Sequence, residues 1–147
     1  MKVQIFRKDK DLPLPQYETA GSFGFDISAR LDTTIEPQTL GLIPGNIIVK
    51  CPAERALLIL PRSSTFRKTT LVFPHSIGLI DQDYCGVDDE IMIQVYNLGK
   101  APVTIKRGEK IAQGLFMQTA IADFTEVDED FLGKDSRGGF GSTDTPQ

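Results

Sequence analysis

The sequence predicts an all-β domain with one short helix, and three observations support that class. Apolar residues alternate with polar ones at a period of two rather than 3.6. Turn signals separate these runs at the short spacing that is typical of an antiparallel sandwich or barrel. At 147 residues, with 40% hydrophobic and 24% charged residues, the chain has the length and composition of one globular domain. We therefore expect a single β-domain with an apolar core.

The strand pattern recurs along most of the chain. It appears at residues 3–6, 25–29, 47–49, 56–60, 91–96, 103–105 and 111–116. Turn segments rich in Gly, Asn or Pro separate several of these runs, at residues 44–46, 97–100 and 106–109. These residue types favour turns for local backbone reasons, so each segment is expected to connect two strands.

The one helical candidate is the segment at residues 61–68. Its hydroxyl residues could cap a helix N-terminus, and its basic residues suit the C-terminal end. Free N–H groups at a helix start attract anions, and the side chains of Arg62 and Ser63 add further donors. The segment is therefore either a seat for phosphate or an ordinary helix cap beside a surface arginine.

Charge and cysteine content exclude several classes of protein. A net charge of −4 and a pI near 5.0 argue against a nucleic-acid partner, which would require a basic face. No apolar run is long enough for a secretory signal or a membrane span, so we expect a cytoplasmic protein without a membrane partner. Cys51 and Cys85 are expected to be free thiols in a reducing compartment. His75 is the sole histidine, which excludes a histidine-based zinc site.

The segment at residues 78–86 places two carboxylates and a tyrosine between glycines. As structure, it is an acidic hairpin whose Asp and Gly residues favour turns. As chemistry, Asp81 could hold a water molecule and take its proton, a role worth about a hundred- to ten-thousandfold in rate. Taken alone, the segment leaves both interpretations open.

Two further polar residues lie in predicted strands. Asp26 stands within an apolar run, where Asp is uncommon. It either caps a turn or bonds neighbouring backbone, or its charge is used near a bound cation. Gln113 follows the turn at residues 106–109 and is the one polar group of its segment able to reach a ligand.

The C-terminal tail carries one aromatic residue among glycines and hydroxyls. An arbitrary glycine-rich end is most simply disordered. Phe140, however, offers a π-face, Ser142 and Thr143 can donate to anions, and Arg137 can bind phosphate through both arms of its guanidinium group. These groups are the ones that an arm closing over a phosphorylated base would need.

Five of these segments resemble, in order and separation, the motifs of the trimeric dUTP diphosphatase (dUTPase) family. They surround Asp26, Arg62, Asp81, Gln113 and Phe140. The resemblance implies a jelly-roll-like β-barrel with one short helix, assembled as a homotrimer whose active sites are shared between subunits. It also implies a nucleotide-binding barrel at residues 1–132 and a flexible arm at residues 133–147 that closes over an active site.

The resemblance implies hydrolysis of dUTP to dUMP and pyrophosphate, which limits uracil in DNA and supplies dUMP for thymidylate synthesis. Asp81 would deprotonate the water molecule that attacks the α-phosphorus. Tyr84 would pack on the deoxyribose and leave no room for a 2′-hydroxyl group. Contacts with the base are implied for Leu79, Ile80, His75, Met92 and Phe140.

The resemblance also implies which residues contact the triphosphate and its metal ion. Phosphate contacts are implied for Arg62, Ser63, Ser64, Gln113, Arg137, Ser142 and Thr143. Mg²⁺ would be carried on the three phosphates, because it prefers substrate phosphate and water to an all-protein cage. Asp26 would then act on a metal-bound water molecule.

Two other functions fit part of the pattern. The dCTP deaminases share the barrel and the Arg62-Ser63-Ser64 signature, so a dCTP deaminase or a bifunctional dCTP deaminase/dUTP diphosphatase is one alternative. Deamination there uses a Glu general base, and the matching position is Gln94, whose amide cannot take the proton. The second alternative is a catalytically silent nucleotide-binding trimer, which the presence of Asp81 disfavours.

Overall fold

A computed structural model describes the fold over residues 1–133. Within that range the chain forms eleven β-strands, one α-helix and one short 3₁₀ turn. Their bounds are, in chain order, β1 Gln4–Arg7, β2 Phe25–Ser28, β3 Thr33–Ile35, β4 Leu40–Pro44, β5 Ile47–Lys50, β6 Arg55–Pro61, α1 Thr65–Thr69, β7 Leu71–Val72, β8 Gly78–Ile80, β9 Met92–Asn97, β10 Val103–Ile105, β11 Lys110–Gln118 and the 3₁₀ turn Glu129–Phe131. The predicted all-β class with a single short helix is confirmed.

The strands form four antiparallel sheets. The largest has the order β2-β11-β6-β8, and the next has the order β4-β9-β7. β1 pairs with β5, and β10 pairs with β3. Within the described range, strands that follow one another in the chain do not pair with each other. The connections therefore cross between sheets, which gives the jelly-roll-like barrel.

One apolar core fills the space between the sheets. Its largest fully buried side chains are Ile27, Ile35, Ile43, Ile47, Val49, Leu57, Leu71, Ile91, Ile93, Val95, Ile105 and Ile111. Most of them are β-branched, and β-branched side chains pack well on a pleated sheet. Strands of all four sheets contribute, so the barrel shares a single core.

The alternating pattern finds most strands but not all of them. Each predicted run lies on a strand or overlaps one, and each predicted turn connects two strands. The pattern does not indicate β3, β4, β7 and β8. β3, β7 and β8 have three, two and three residues, too few for a visible alternation. β4 contains a glycine and a proline, and it exposes two of its leucines.

The helix differs from the prediction in position and in capping. It begins at Thr65, and the Ser64 side chain makes no capping hydrogen bond although Ser64 is the N-cap residue. Instead, Thr65 Oγ1 accepts a hydrogen bond from the Arg62 N–H group at 3.0 Å and donates one to the Ile111 carbonyl at 3.0 Å. The predicted capping by a hydroxyl side chain is therefore wrong. Arg62 lies in the turn before the helix, and five helical residues contribute little dipole.

The last strand ends well before the end of the described range. Residues 119–128 follow β11 without strand pairing and lead to the 3₁₀ turn. The helical segments of this range have five and three residues, so neither has the length to cross a bilayer. The division of the chain at residue 132 stays a prediction.

Candidate active site

An ion-paired cluster lies where β2, β6 and β11 run side by side. Arg62 Nε is 2.7 Å from Asp26 Oδ1, and Lys110 Nζ is 2.9 Å from Asp26 Oδ2. Lys110 Nζ also donates a hydrogen bond to Glu18 Oε2 at 2.6 Å. We call these four residues the Asp26 cluster. It places two cationic side chains around one carboxylate at the end of the sheet.

The partners of Asp26 differ from those that the sequence suggested. Neither turn capping nor a backbone contact accounts for its carboxylate, whose two oxygens pair with Arg62 and Lys110. Burial would raise the pKa of Asp26, but the hydrogen bonds and charges of Lys110 and Arg62 outweigh burial and hold the pKa below its ordinary value of 3.8. Asp26 is therefore ionised at neutral pH.

A cleft of about 280 Å³ opens beside the Asp26 cluster. It is lined by Glu18, Ser22, Phe23, Gly24, Asp26, Arg62, Ser63 and Gln113. Three predicted phosphate ligands, Arg62, Ser63 and Gln113, thus meet at one place. Gln113 Nε2 donates to the Pro61 carbonyl at 3.0 Å, which holds the amide against the end of β6. Ser64, the fourth ligand predicted on the barrel, faces the neighbouring cleft that Arg62 and Lys110 also line.

Gly24 gives Gln113 the space that it occupies. A Cβ atom at position 24 would stand 2.7 Å from Gln113 Oε1, closer than such atoms approach each other. A larger residue would therefore push the Gln113 amide away from its place beside the cleft. The cleft in its present shape therefore requires a residue without a side chain at position 24.

Asp81 lies at the opposite end of the same sheet. Ile80 is the cross-strand partner of Leu57, so Asp81 comes level with Ala56 near the start of β6. Arg62, by contrast, follows the end of β6. Six residues of strand, each rising about 3.3 Å, separate the two levels by about 20 Å. A single chain does not bring Asp81 and Arg62 into one site.

The loop after β8 is fixed at its far end and open at its near end. Asp81 and Tyr84 are exposed, and the Tyr84 hydroxyl donates to the Glu90 carbonyl at 3.3 Å. The Glu90 carboxylate is buried and accepts two hydrogen bonds from Arg30 and one from the Asn46 N–H group, each at 2.8 Å. The loop is therefore anchored where it enters β9, whereas Asp81 faces solvent.

Most residues predicted to contact the base lie near this loop. Leu79 and Ile80 belong to β8, which is the edge strand of its sheet in the described range and pairs there with β6 alone. The His75 ring stacks on Phe73 with 6.3 Å between the ring centroids. Met92 begins β9, in a different sheet, and is half-exposed. The exposed backbone edge of β8 offers N–H and C=O groups to a ligand.

The structure also bears on the remaining predicted residues. Arg137, Phe140, Ser142 and Thr143 lie outside the described residues, so their roles stay predictions. Within residues 1–133, His, Cys, Asp and Glu side chains do not gather in groups of three that could hold a metal ion. Because Asp26 already pairs with two cations, its carboxylate suits contact with Mg²⁺ through water rather than direct coordination.

Sequence reasoning missed three contributors to this site: Lys110, Glu18 and Gly24. Glu18 and Gly24 flank Asp26 along the chain, and that proximity is their only sequence signal. Lys110 stands next to the predicted run at residues 111–116, but its contact with Asp26 depends on the pairing of β11 with β2. Both thiols are free, as predicted: Cys51 is buried and Cys85 is half-buried.

The fold and the site define a class: a β-barrel with a polar, ion-paired cleft at one end of a sheet and an acidic loop at the other. The chain belongs to the dUTPase family, whose model matches residues 10–144. It is 39% identical over 144 residues to the deoxyuridine 5'-triphosphate nucleotidohydrolase of Serratia proteamaculans, covering 96% of this chain and 93% of that protein. The identity to the enzyme of the same name from Escherichia coli O9:H4 is 40% over 145 residues, covering 96% and 93%.

Solved structures agree with this assignment. The dUTPase of Streptococcus mutans superimposes with a TM-score of 0.76 at 29% identity, covering 84% of this chain and 100% of that one. The dUTPase of Staphylococcus bacteriophage 80alpha, solved with dUPNHPP, gives a TM-score of 0.83 at 22% identity, covering 96% and 97%. At 22% identity the second comparison supports the fold alone.

Proposed function

We propose that this protein is a dUTP diphosphatase that hydrolyses dUTP to dUMP and pyrophosphate. The observation that carries the proposal is the cleft beside the Asp26 cluster, where Arg62, Ser63 and Gln113 converge. Three donors at one place suit the α- and β-phosphates of a nucleotide. The reaction would limit uracil in DNA and supply dUMP for thymidylate synthesis.

The reaction needs a base and a charge-stabilising site. Asp81 holds the attacking water molecule and takes its proton as the oxygen bonds to the α-phosphorus and pyrophosphate leaves. Arg62, Ser63 and Gln113 stabilise the charge of this in-line displacement. Arg62 Nε donates to Asp26, so the donors left for the phosphates are the terminal nitrogens, of which Nη1 also donates to the Lys110 carbonyl at 3.4 Å. Mg²⁺ bound to the triphosphate would neutralise phosphate charge, and Asp26 would contact it through a water molecule.

The base and sugar belong to the β8 end in this proposal. The backbone edge at Leu79 and Ile80 reads the uracil, and the Tyr84 ring packs on the deoxyribose face where a ribonucleotide carries its 2′-hydroxyl group. His75 and Met92 complete the surroundings of the base. Residues 133–147 form an arm in which Phe140 stacks on uracil, a contact of about 1–3 kcal/mol. Arg137, Ser142 and Thr143 close on the outer phosphates.

The geometry supports a site shared between subunits of a homotrimer. The α-phosphorus must contact both the water molecule held by Asp81 and the groups that hold its oxygens. Within one chain, Asp81 and Arg62 are about 20 Å apart along β6. Asp81 of one copy therefore works with Arg62 of another.

Exposed apolar surface supports the same assembly. In the segment after β11, Ile121 and Phe124 are 95% and 96% exposed. An apolar groove of about 260 Å³ lies beside β1, with Val3, Ile5 and Phe116 among its lining residues. Burying one large apolar side chain stabilises an assembly by about 1.5–3 kcal/mol. Both surfaces suit contact with neighbouring copies.

A cytoplasmic location is part of the proposal. Cys51 and Cys85 are both free thiols, and free thiols persist in a reducing compartment. Fractionation of the producing cells, with the protein followed by immunoblot, tests this location. Recovery outside the cytoplasmic fraction would contradict it.

A substrate panel tests the activity. The purified protein is incubated separately with dUTP, UTP and dCTP, with Mg²⁺ and with a chelator. Release of pyrophosphate from dUTP alone supports the proposal. Ammonia released from dCTP would instead support a deaminase, and nucleotide binding without turnover would support a silent binding protein.

Complementation tests whether the site is shared. Asp81→Asn and Arg62→Met are each expected to be nearly inactive. After the two variants exchange subunits at equal amounts, a site that takes Asp81 and Arg62 from different chains should recover about one quarter of wild-type activity, because half of the copies carry each intact residue. Each variant taken alone through the same exchange is the control. No recovery in the mixture would show that both residues act from one chain.

A further inference from the structure

β11 contains a β-bulge beside the Asp26 cluster. Its pairing register with β2 shifts between Lys110 and Ala112, which makes Ile111 an extra residue. In a regular strand Lys110 and Gln113, three positions apart, would point to opposite faces of the sheet. The bulge brings Lys110 onto the face that carries Asp26. Bulges commonly redirect a side chain next to an active site.

Lys110 contacts the other three residues of the Asp26 cluster through its side chain and through its main chain. Its ammonium group lies 2.9 Å from Asp26 Oδ2 and 2.6 Å from Glu18 Oε2. Its main-chain carbonyl accepts a hydrogen bond from Arg62 Nη1 at 3.4 Å. The hydrogen bond to Glu18 and the ion pair with Asp26 raise the pKa of Lys110, so its side chain is charged at neutral pH.

The position of Lys110 limits how Arg62 can pair with Asp26. A guanidinium group and a carboxylate favour a bidentate arrangement that uses both carboxylate oxygens. Here the ammonium group occupies Oδ2, and Arg62 pairs with Oδ1 through Nε at 2.7 Å. Without Lys110, the free oxygen would attract a second N–H group of Arg62. That N–H group would then be lost to a phosphate in the cleft.

We propose that Lys110 is a positioning residue for phosphate binding, which pairs with one oxygen of Asp26 and so keeps the Nη2 group of Arg62 available to the substrate. The inference rests on the proposed function, since the ligand is the α- and β-phosphate region of dUTP. It assigns Lys110 no contact with the substrate itself.

Three substitutions test the proposal. Lys110→Gln should lower kcat/KM for dUTP about tenfold or more, as partners of ligand-holding residues commonly do. Lys110→Arg should restore most of the activity, because a guanidinium group can also occupy Oδ2. Lys106→Gln is the matched control: Lys106 begins the turn at residues 106–109 that leads to Lys110. It pairs with Asp32 at 2.8 Å, and its side chain is 67% exposed. This control should leave kcat/KM unchanged.

A double-substitution cycle separates positioning from direct contact. In an Arg62→Met background, Lys110→Gln should cause no further loss, because no guanidinium group remains to be positioned. A full additional loss in that background would overturn the proposal, and so would normal kcat/KM in Lys110→Gln alone. The affinity for non-hydrolysable α,β-imido-dUTP, measured by calorimetry, should fall in Lys110→Gln and recover in Lys110→Arg. This readout tests Lys110 even if the protein does not turn over dUTP, so failure of the proposed function is recognised separately.

Discussion

The two ends of β6 are built differently. At its C-terminal end, the side chains of Asp26, Arg62 and Lys110 form ion pairs within 2.9 Å, and only 13% of the Asp26 side chain is exposed. At its N-terminal end, Asp81 faces solvent, and the nearby Tyr84 makes one long hydrogen bond. One chain thus forms the ion-paired end, where phosphate is proposed to bind, but leaves exposed the end where Asp81 is proposed to activate water. The difference indicates which half of the proposed site depends on a neighbouring copy.

The largest effect is expected at the open end. Asp81→Asn should lower turnover of dUTP at least about a hundredfold, because the amide cannot take a proton from water. The affinity for a non-hydrolysable dUTP analogue should stay close to wild type, since the shape of the side chain is kept. Steady-state kinetics and calorimetry measure the two quantities.

Asp83→Asn is the matched control for that substitution. Asp83 is an exposed carboxylate in the same loop, two positions further along. Its replacement should leave turnover nearly normal. If both variants were equally impaired, the loss would reflect the charge of the loop rather than a base at position 81.

A smaller effect is expected from crowding the cleft at the paired end. Gly24→Ala places a Cβ atom 2.7 Å from Gln113 Oε1, at the flexible end of that side chain. The amide should move away, and kcat/KM should fall about tenfold. This is the fold-change that corresponds to the free energy of one hydrogen bond to a charged group. The unfolding temperature should change little. Gly21→Ala, whose Cβ atom meets nothing within 4 Å, should retain full activity, and an equal loss in both variants would contradict this role for Gly24.

The smallest effect is the pH dependence of stability at the paired end. The folded-state pKa of Asp26 lies below its ordinary value of 3.8, so the ion pairs stabilise the fold above that pH and lose their effect as the pH falls through the lowered pKa. The difference in free energy of unfolding between wild type and Asp26→Asn should therefore be largest at neutral pH and shrink in acid. Urea unfolding over a pH series measures it.

Asp32→Asn is the comparison for that experiment. Asp32 pairs with Lys106 at 2.8 Å, but its side chain is 55% exposed, and exposed pairs contribute little stability. Its effect should be smaller than that of Asp26→Asn throughout the series. A constant difference for Asp26→Asn at every pH would show that ionisation of Asp26 does not stabilise the fold.

The sequence determined the fold class and the predicted phosphate ligands of the site, but not Lys110, Glu18 or Gly24. Alternation at a period of two is a local property, so it identified most of the longer strands and left out β3, β4, β7 and β8. Arg62, Ser63, Gln113 and Asp81 were recognised because their residue types and spacing match one family's motifs. Matching a motif requires only the types of its residues and their order along the chain, and the sequence states both.

Only the tertiary structure decided which of these residues meet. The distance between Asp81 and Arg62 depends on the register of β8 on β6 and is long within one chain, although both residues belong to the same set of motifs. The contact of Lys110 with Asp26 depends on one extra residue in β11, which leaves no local pattern in the sequence. Register and bulges arise from the packing of strands that are far apart in the chain. For that reason the sequence indicated most of the side chains of this site, whereas only the folded barrel determined which of them are in contact.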